Sequence, residues 1–181
     1  NTTMAQRDLE CHKDDLAFLA PDRWESLSLQ EKLGVMQVVI NIESSYLGIP
    51  VELSASCINL DENVLSAYSS SLESILFDLD SLAKDSSAEL VDSALHEVRH
   101  AYQSALTDVY IEIDPVYQNL LLFKNLPELI DEFSNYQDSG LEYYSQISEP
   151  DASLYAQQTA GLYALVPSLC VFLEVADSFT R

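Results

Sequence analysis

The pattern of apolar and polar residues predicts a long helix near the start of the chain. Between Leu29 and Leu47, apolar residues recur at intervals of three and four, the spacing of one helix face. The segment Ser28-Leu29-Gln30-Glu31 has the S-x-x-E pattern of a capping box, so the helix is expected to begin there. Gly48 and Pro50 are typical of a helix end. We expect this helix to pack on the core and to carry no chemistry.

The pattern then changes to a period of two. From Val51 to Cys57, apolar residues alternate with polar ones, as in a half-buried strand. Val64 to Ser69 and Ser74 to Leu79 are predicted to be two more strands, joined by a hairpin turn at Ser70 to Glu73. The sequence therefore predicts a small antiparallel sheet, in which Cys57 is a small buried side chain.

A second capping box, Ser86-Ser87-Ala88-Glu89, predicts the start of another helix. Its predicted core face consists of apolar side chains three and four residues apart: Ala88, Val91, Leu95, Val98, Tyr102 and Ala105. His96 and His100 lie on a neighbouring stripe, beside this face, which suits side chains at the floor of a cleft. Arg99 is expected to point into solvent.

The C-terminal half is predicted to be mostly helical. Two helices are expected at Pro115 to Lys124 and Pro127 to Tyr136, each with a proline in its first turn. Gln137 to Gly140 is predicted to form a turn. The apolar segment Gly161 to Phe172 is interrupted by Pro167 and is expected either to pack as a further helix or to form a partner surface.

Together these elements predict an α+β fold. It has a small antiparallel sheet with a helix before it, a histidine-bearing helix packed on it, and a mostly helical C-terminal half. A length of 181 residues suits one domain, residues 1–181, and a hydrophobic content of 48% excludes a disordered chain. The polar segment 1–15 is expected to be loose.

The composition narrows the range of partners. The formal net charge is -22, from 30 acidic and 8 basic residues. Such a surface repels phosphate backbones and anionic lipids, so no nucleic-acid partner is expected, and cationic partners or basic peptides are favoured. The longest apolar run, Leu162 to Val175, is too short to span a bilayer, so no membrane span is predicted.

The three cysteines, Cys11, Cys57 and Cys170, cannot all pair within the chain. The sequence is compatible with two states: one disulfide and one free thiol, or three reduced thiols. Cys11 is followed by His12, but adjacent residues do not comfortably face one ion, so no metal is expected there. The start at Asn1, the cysteines and the acidic surface slightly favour a processed extracytoplasmic protein, and export itself stays open.

Candidate chemistry is concentrated between Ser93 and Gln103, in the motif His96-Glu97-Val98-Arg99-His100. On a helix, His96 and His100 lie on one face, where two neutral imidazole nitrogens can occupy two corners of a tetrahedral Zn²⁺ site. Glu97 can reach a metal-bound water as general base. The sequence therefore predicts Zn²⁺ as cofactor and Glu97 as the catalytic residue.

A third ligand is needed, and a carboxylate is predicted because no histidine follows His100. Glu149 is favoured, since it stands beside Ser148 and Pro150 in the pattern of a helix N-terminus. Asp151 is the alternative ligand, or it would hold a ligand imidazole through its other N–H. The full set of acidic candidates is Asp108, Glu112, Asp114, Glu128, Asp131, Glu132, Asp138, Glu142, Glu149 and Asp151.

The order of these features resembles the zincin metallopeptidases, and the size and carboxylate ligand resemble the gluzincin branch in its compact minigluzincin form. A narrower resemblance, to uncharacterised bacterial metallopeptidases, rests on two motifs. They are His96-Glu97-x-x-His100-Ala101-Tyr102-Gln103 and Tyr143-Tyr144-Ser145-Gln146-x-x-Glu149-x-Asp151-Ala152-x-x-Tyr155-Ala156. The resemblance spans Trp24 to Thr159 and implies that Glu149 is the third ligand. Ser153 departs from it, because many relatives place Asp or Asn there to support a histidine.

The resemblance implies a zinc-dependent peptidase that hydrolyses peptide bonds in a peptide or protein substrate. Glu97 would take the proton of the attacking water and pass it to the leaving amine. In zincins the edge strand before the metal helix holds the substrate, which here implies Ser74, Ile75, Leu76, Phe77 and Asp78. Candidate oxyanion donors, none of them favoured, are Tyr102, Tyr143, Tyr144 and Tyr155. The alternative function is a zinc-binding interaction protein on the same scaffold, without turnover.

Overall fold

A computed structural model describes residues 6–135 and 146–179 of the chain, without the side chains of residues 122 and 168–179. Over these ranges the fold is α+β, as predicted. The helices are α1 (Lys13–Leu16), α2 (Pro21–Trp24), α3 (Leu29–Leu47), α4 (Leu79–Lys84), α5 (Ser87–Glu112), α6 (Leu126–Ser134) and α7 (Ser148–Phe179). The strands are β1 (Ser54–Ile58), β2 (Ser66–Ser69) and β3 (Ser74–Asp78), and short 3-10 turns cover Ala17–Leu19 and Leu121–Phe123. Among the helices of the described ranges, none combines the length and the apolar composition that a membrane span requires.

Helix α3 has the bounds predicted for it. At its start, the backbone N–H of Ser28 donates to Glu31 at 2.8 Å, and the Ser28 hydroxyl accepts from the Glu31 N–H at 3.4 Å. This reciprocal pair satisfies two N–H groups that have no partner within the helix. The helix ends at Gly48, whose φ of 71° lies in the left-handed region that side chains disfavour. Met36, Val39 and Ile40 are fully buried, so α3 is a core helix.

The sheet is mixed, and the prediction that all its strands are antiparallel is wrong for one pair. The strand order is β1-β3-β2. β2 and β3 form the predicted antiparallel hairpin, but β1 runs parallel to β3. The chain passes from β1 through β2 before it enters β3, and the hairpin turns β3 back into the direction of β1. Ile75 and Phe77 of β3 are fully buried and face the core.

Helix α5 begins with the second predicted capping box and packs between α3, the sheet and α7. Leu90, Ala94, Leu95 and Val98 are fully buried. The buried face is rotated from the predicted one, because Ala88 is exposed and Tyr102 and Ala105 are only half-buried. The rotation brings Glu97 and Gln103 into the buried part of the helix.

The segment Pro115 to Lys124 is not the predicted helix. It consists of successive turns, in which backbone N–H groups bond to the carbonyl three residues back, and of the 3-10 turn at Leu121–Phe123. The next predicted helix is present as α6. The predicted helix segment Gly161 to Phe172 is the continuation of α7, which runs through Pro167. The turn predicted at 137–140 lies outside the described residues.

The described part of the N-terminal segment contacts the core through Leu9. Residues 13–16 form α1, and Leu16 is fully buried. Arg7 reaches the buried carboxylate of Glu43 on α3, with Nε 2.6 Å from Oε1. The same carboxylate accepts hydrogen bonds from the hydroxyls of Tyr155 and Tyr163 on α7. This group of four residues, centred on the buried carboxylate of Glu43, links the N-terminal segment, α3 and α7.

Candidate metal centre

Helices α5 and α7 bring two imidazoles and one carboxylate together. His96 and His100 lie one turn apart on α5, with their Nε2 atoms 2.9 Å apart. From the first turn of α7, Glu149 places Oε2 3.2 Å from His96 Nε2 and Oε1 3.4 Å from His100 Nε2. These three residues form the one group of potential metal ligands found in the described ranges.

The spacing of the nitrogen and carboxylate oxygen atoms can be compared with that of a zinc site. Ligands about 2.0 to 2.1 Å from Zn²⁺ in a tetrahedron lie about 3.3 Å from one another. The two imidazole nitrogens are 2.9 Å apart, and Glu149 places one carboxylate oxygen 3.2 Å from His96 and the other 3.4 Å from His100, so each of these contacts is close to this value. Two nitrogen ligands and one carboxylate oxygen are also a set that Zn²⁺ accepts. The residues present therefore fit a zinc ion.

The site is open on the histidine side and closed on the glutamate side. The side chains of His96 and His100 are 21% and 14% exposed, whereas that of Glu149 is 6% exposed. Burial by itself lowers the pKa of His100, but the hydrogen bond to Glu149 and the nearby charge of Glu97 raise it above its usual value. The negative charges of Glu149 and Glu97 favour a proton on His100, and a bound cation would take the place of that proton.

Gln103 determines which nitrogen of His100 carries a proton. Its side-chain Nε2 donates to Asp151 Oδ2 at 2.8 Å and to the Ser148 carbonyl at 3.1 Å, and both partners are acceptors only. Its Oε1 therefore faces His100 Nδ1, 2.9 Å away, and accepts that N–H. In the neutral ring the lone pair of His100 is therefore on Nε2, the atom that points at Glu149. Gln103 is buried, and its spacing of three residues from His100 could have revealed this role.

Asp151, predicted as the alternative ligand, is not in the three-residue group. Its carboxylate accepts two hydrogen bonds from Arg99, at 2.7 and 3.0 Å, and one from Gln103. Burial opposes ionisation, but these bonds hold the pKa of Asp151 below its usual value. The prediction that Arg99 points into solvent is wrong, because Asp151 draws its guanidinium onto α7. Asp151 reaches the His100 imidazole only through Gln103.

Ser153 lies near the other histidine. Its hydroxyl is 3.5 Å from His96 Nδ1, the ring nitrogen that faces away from Glu149. This is the position at which the resemblance implies a supporting Asp or Asn. The contact is long and involves an exposed hydroxyl, so Ser153 holds His96 more weakly than Gln103 holds His100.

Glu97 is buried beside the two histidines and turns its carboxylate to strand β2. Oε2 accepts the backbone N–H of Tyr68 at 2.8 Å, and Oε1 accepts the Ser66 hydroxyl at 3.3 Å. Burial raises the pKa of Glu97, although the two histidines and these hydrogen bonds act in the opposite direction. No local pattern indicates Ser66 or Tyr68 as partners of Glu97, because they lie 31 and 29 residues from it.

The strand predicted to bind substrate, Ser74 to Asp78, has no free edge. As β3 it is the central strand, paired with β1 on one side and β2 on the other, so a peptide cannot add to it. That assignment of Ser74, Ile75, Leu76, Phe77 and Asp78 is wrong. The sheet edge next to Glu97 is the outer edge of β2.

The backbone of β2 offers hydrogen-bonding groups at this outer edge. Asp78 N donates to Leu65 O at 2.9 Å, which makes these residues a hydrogen-bonded pair of the hairpin. Bonded and non-bonded pairs alternate along antiparallel strands. Ser66 and Tyr68 therefore direct their N–H and C=O groups away from β3, as the bond from Tyr68 N–H to Glu97 requires.

The other predicted candidates lie elsewhere. Glu132 accepts the backbone N–H of Ser148 at 3.0 Å and so supports the start of α7. The Tyr155 hydroxyl is bonded to Glu43, and the ring of Tyr102 packs against Arg99. Asp108, Glu112, Asp114, Glu128 and Asp131 are not in the metal-ligand group, and neither are Cys11 and His12. Asp138, Glu142, Tyr143 and Tyr144 lie outside the described residues.

Comparison of the chain with protein-family models, with curated proteins and with solved structures gives no match. The interpretation of the site therefore rests on its own geometry.

Proposed function

We propose that the protein is a zinc-dependent metallopeptidase. One observation carries the proposal: the ligand atoms of His96, His100 and Glu149 converge, and the carboxylate of Glu97 lies beside them at the edge of a sheet. A purely structural zinc site is usually closed by four protein ligands and has no use for a general base. Three ligands with a buried carboxylate alongside are typical of a hydrolytic site.

His96, His100 and Glu149 are the residues that would hold the zinc ion. When bound, zinc would lower the pKa of a coordinated water and polarise the carbonyl of the substrate. Glu97 is assigned the proton transfers: its carboxylate takes a proton from the attacking water and delivers it to the leaving amine. Its burial supports this role, because the raised pKa makes the carboxylate a stronger base.

The outer edge of β2 is the proposed substrate-binding strand, in place of β3. A peptide that adds to this edge would bond to the outward-facing backbone groups of Ser66 and to the carbonyl of Tyr68, next to Glu97, which already accepts the Tyr68 N–H. Such binding depends on the peptide backbone and tolerates many side chains. The net charge of -22 favours peptides that carry lysine or arginine, because the field of the protein concentrates cations near its surface.

Metal removal tests the proposal. We expect zinc-loaded protein to cleave members of a synthetic peptide library, detected by mass spectrometry, with basic peptides cut faster than acidic ones. Treatment with a chelator should abolish cleavage, and added Zn²⁺ should restore it, because the site then regains the ion that polarises the substrate.

Two outcomes would count against a metallopeptidase. Cleavage that continues unchanged after zinc is removed would assign the activity to another site or to a contaminant. Stoichiometric zinc without cleavage of any library member would favour the second candidate, a zinc-binding interaction protein without turnover.

A further inference from the structure

Several hydrogen bonds between α5 and α7 lie close to Glu149. Arg99 is on α5 and bonds Asp151 through Nε and Nη2, a two-point contact that fixes the orientation of both groups. Its guanidinium lies 4.8 Å from the centre of the Tyr102 ring and 5.3 Å from that of Tyr155. The guanidinium of Arg99 is therefore restrained by two aromatic rings as well as by Asp151.

Gln103 adds two bonds to the same stretch of α7. Its Nε2 donates to the Ser148 carbonyl and to the Asp151 carboxylate, which are the residues on either side of the Glu149–Pro150 step. Its Oε1 at the same time accepts the His100 N–H. One buried amide thus contacts a proposed ligand on α5 and both flanks of the proposed ligand on α7.

We propose that Arg99, Gln103 and Asp151 form a positioning clamp that sets Glu149 against His96 and His100. The proposal rests on the zinc site proposed above and assigns the clamp no contact with the ion or the substrate. The three residues fix the separation of two helices at the point where the third ligand enters. Without them, Glu149 would still be on α7, but its carboxylate would have to be ordered by the ion itself, at a cost in affinity.

Zinc affinity of purified variants tests the clamp. We expect Gln103→Leu, which keeps the volume and removes all three bonds, to weaken Zn²⁺ binding about 10- to 100-fold in competition with a chromophoric chelator. Arg99→Lys keeps the charge but cannot form the two-point contact, and it should weaken binding in the same direction. Co²⁺ bound to each variant should show a changed visible absorption spectrum, because the ligand geometry is altered.

Gln103→Glu separates the clamp from a simpler role. If Gln103 served only to accept the His100 N–H, a carboxylate would do so equally well and affinity would be retained or increased. The clamp predicts a loss, because the new carboxylate faces the Asp151 carboxylate and the Ser148 carbonyl, both of which are acceptors. Retained affinity in this variant would overturn the clamp.

Gln37→Leu is the matched control. Gln37 also donates twice, to Asn41 Oδ1 and to the Leu53 carbonyl, and accepts once, from the Ala55 N–H, but it links α3 to β1. Its loss should lower stability without changing zinc affinity or the Co²⁺ spectrum. Circular dichroism checks that every variant is folded at the temperature of the titration.

Different results would refute the proposed clamp and the proposed zinc site. Wild-type protein that binds no zinc would refute the site. Wild-type protein that binds zinc, with Gln103→Leu and Arg99→Lys binding it equally well, would refute the clamp and leave the site in place.

Discussion

Replacing Glu97 by glutamine should lower kcat/KM for peptide cleavage by about 10²- to 10⁴-fold, the range for loss of a general base. Glutamine has nearly the same shape, and its amide can still bond to the β2 edge, but it cannot accept a proton from water. Because Glu97 is not one of the three converging residues, the zinc content should stay at the wild-type level. The measurement is a rate comparison on one peptide identified from the library, at matched zinc occupancy.

Glu112→Gln is the control for this variant. Glu112 is on the same helix and is exposed, so the substitution changes the net charge equally without touching the site. Its kcat/KM should stay within about 2-fold of wild type, because an exposed carboxylate remote from the metal centre acts on it only through electrostatic interactions that salt screens. Undiminished cleavage by zinc-loaded Glu97→Gln would remove Glu97 from its assigned role.

Replacing Glu43 by alanine should lower the free energy of unfolding by about 3 kcal/mol or more, because it breaks a buried ion pair on one side only. The Glu43 side chain is completely buried and is bonded to Arg7, Tyr155 and Tyr163. Burial and the charge of Glu43 raise the pKa of both tyrosines, so both stay protonated and donate. The substitution removes the one carboxylate that accepts hydrogen bonds from Arg7, Tyr155 and Tyr163.

Urea unfolding followed by circular dichroism measures this loss. Arg7→Met should also be strongly destabilising, because it leaves the Glu43 charge buried without its cation. Glu52→Ala, at an exposed position, should change stability by less than about 0.5 kcal/mol. A loss below about 1 kcal/mol in Glu43→Ala would show that the buried group is not a main link between α3 and α7.

The elements that could be predicted from the sequence are those whose signals are local. The caps at Ser28 and Ser86 bond to residues three positions away, so α3 and α5 start where the sequence indicates. The spacing of His96 and His100 is likewise a property of one helix. The local signals were also sufficient to place Glu149 at the start of a helix, since Ser148 and Pro150 flank it.

Features that depend on distant partners could not be predicted. Arg99 was expected in solvent because its partner, Asp151, is 52 residues away. The alternation of β1 indicates which residues share a face but not which strand β1 pairs with, and the central position of β3 follows from that pairing. First-turn prolines are compatible with turns as well as with helices, and the segment from Pro115 to Lys124 has few buried side chains to stabilise a helix.

The zinc content of protein purified without any chelator tests the central claim most directly. We predict one zinc per chain in the wild type and loss of stoichiometric zinc in His96→Ala, because two ligands do not hold Zn²⁺ as three do. His12→Ala is the matched control: His12 is the third histidine of the chain, lies outside the ligand group, and its loss should leave the zinc content unchanged. Wild-type protein without zinc, or equal zinc in His96→Ala, would contradict the account.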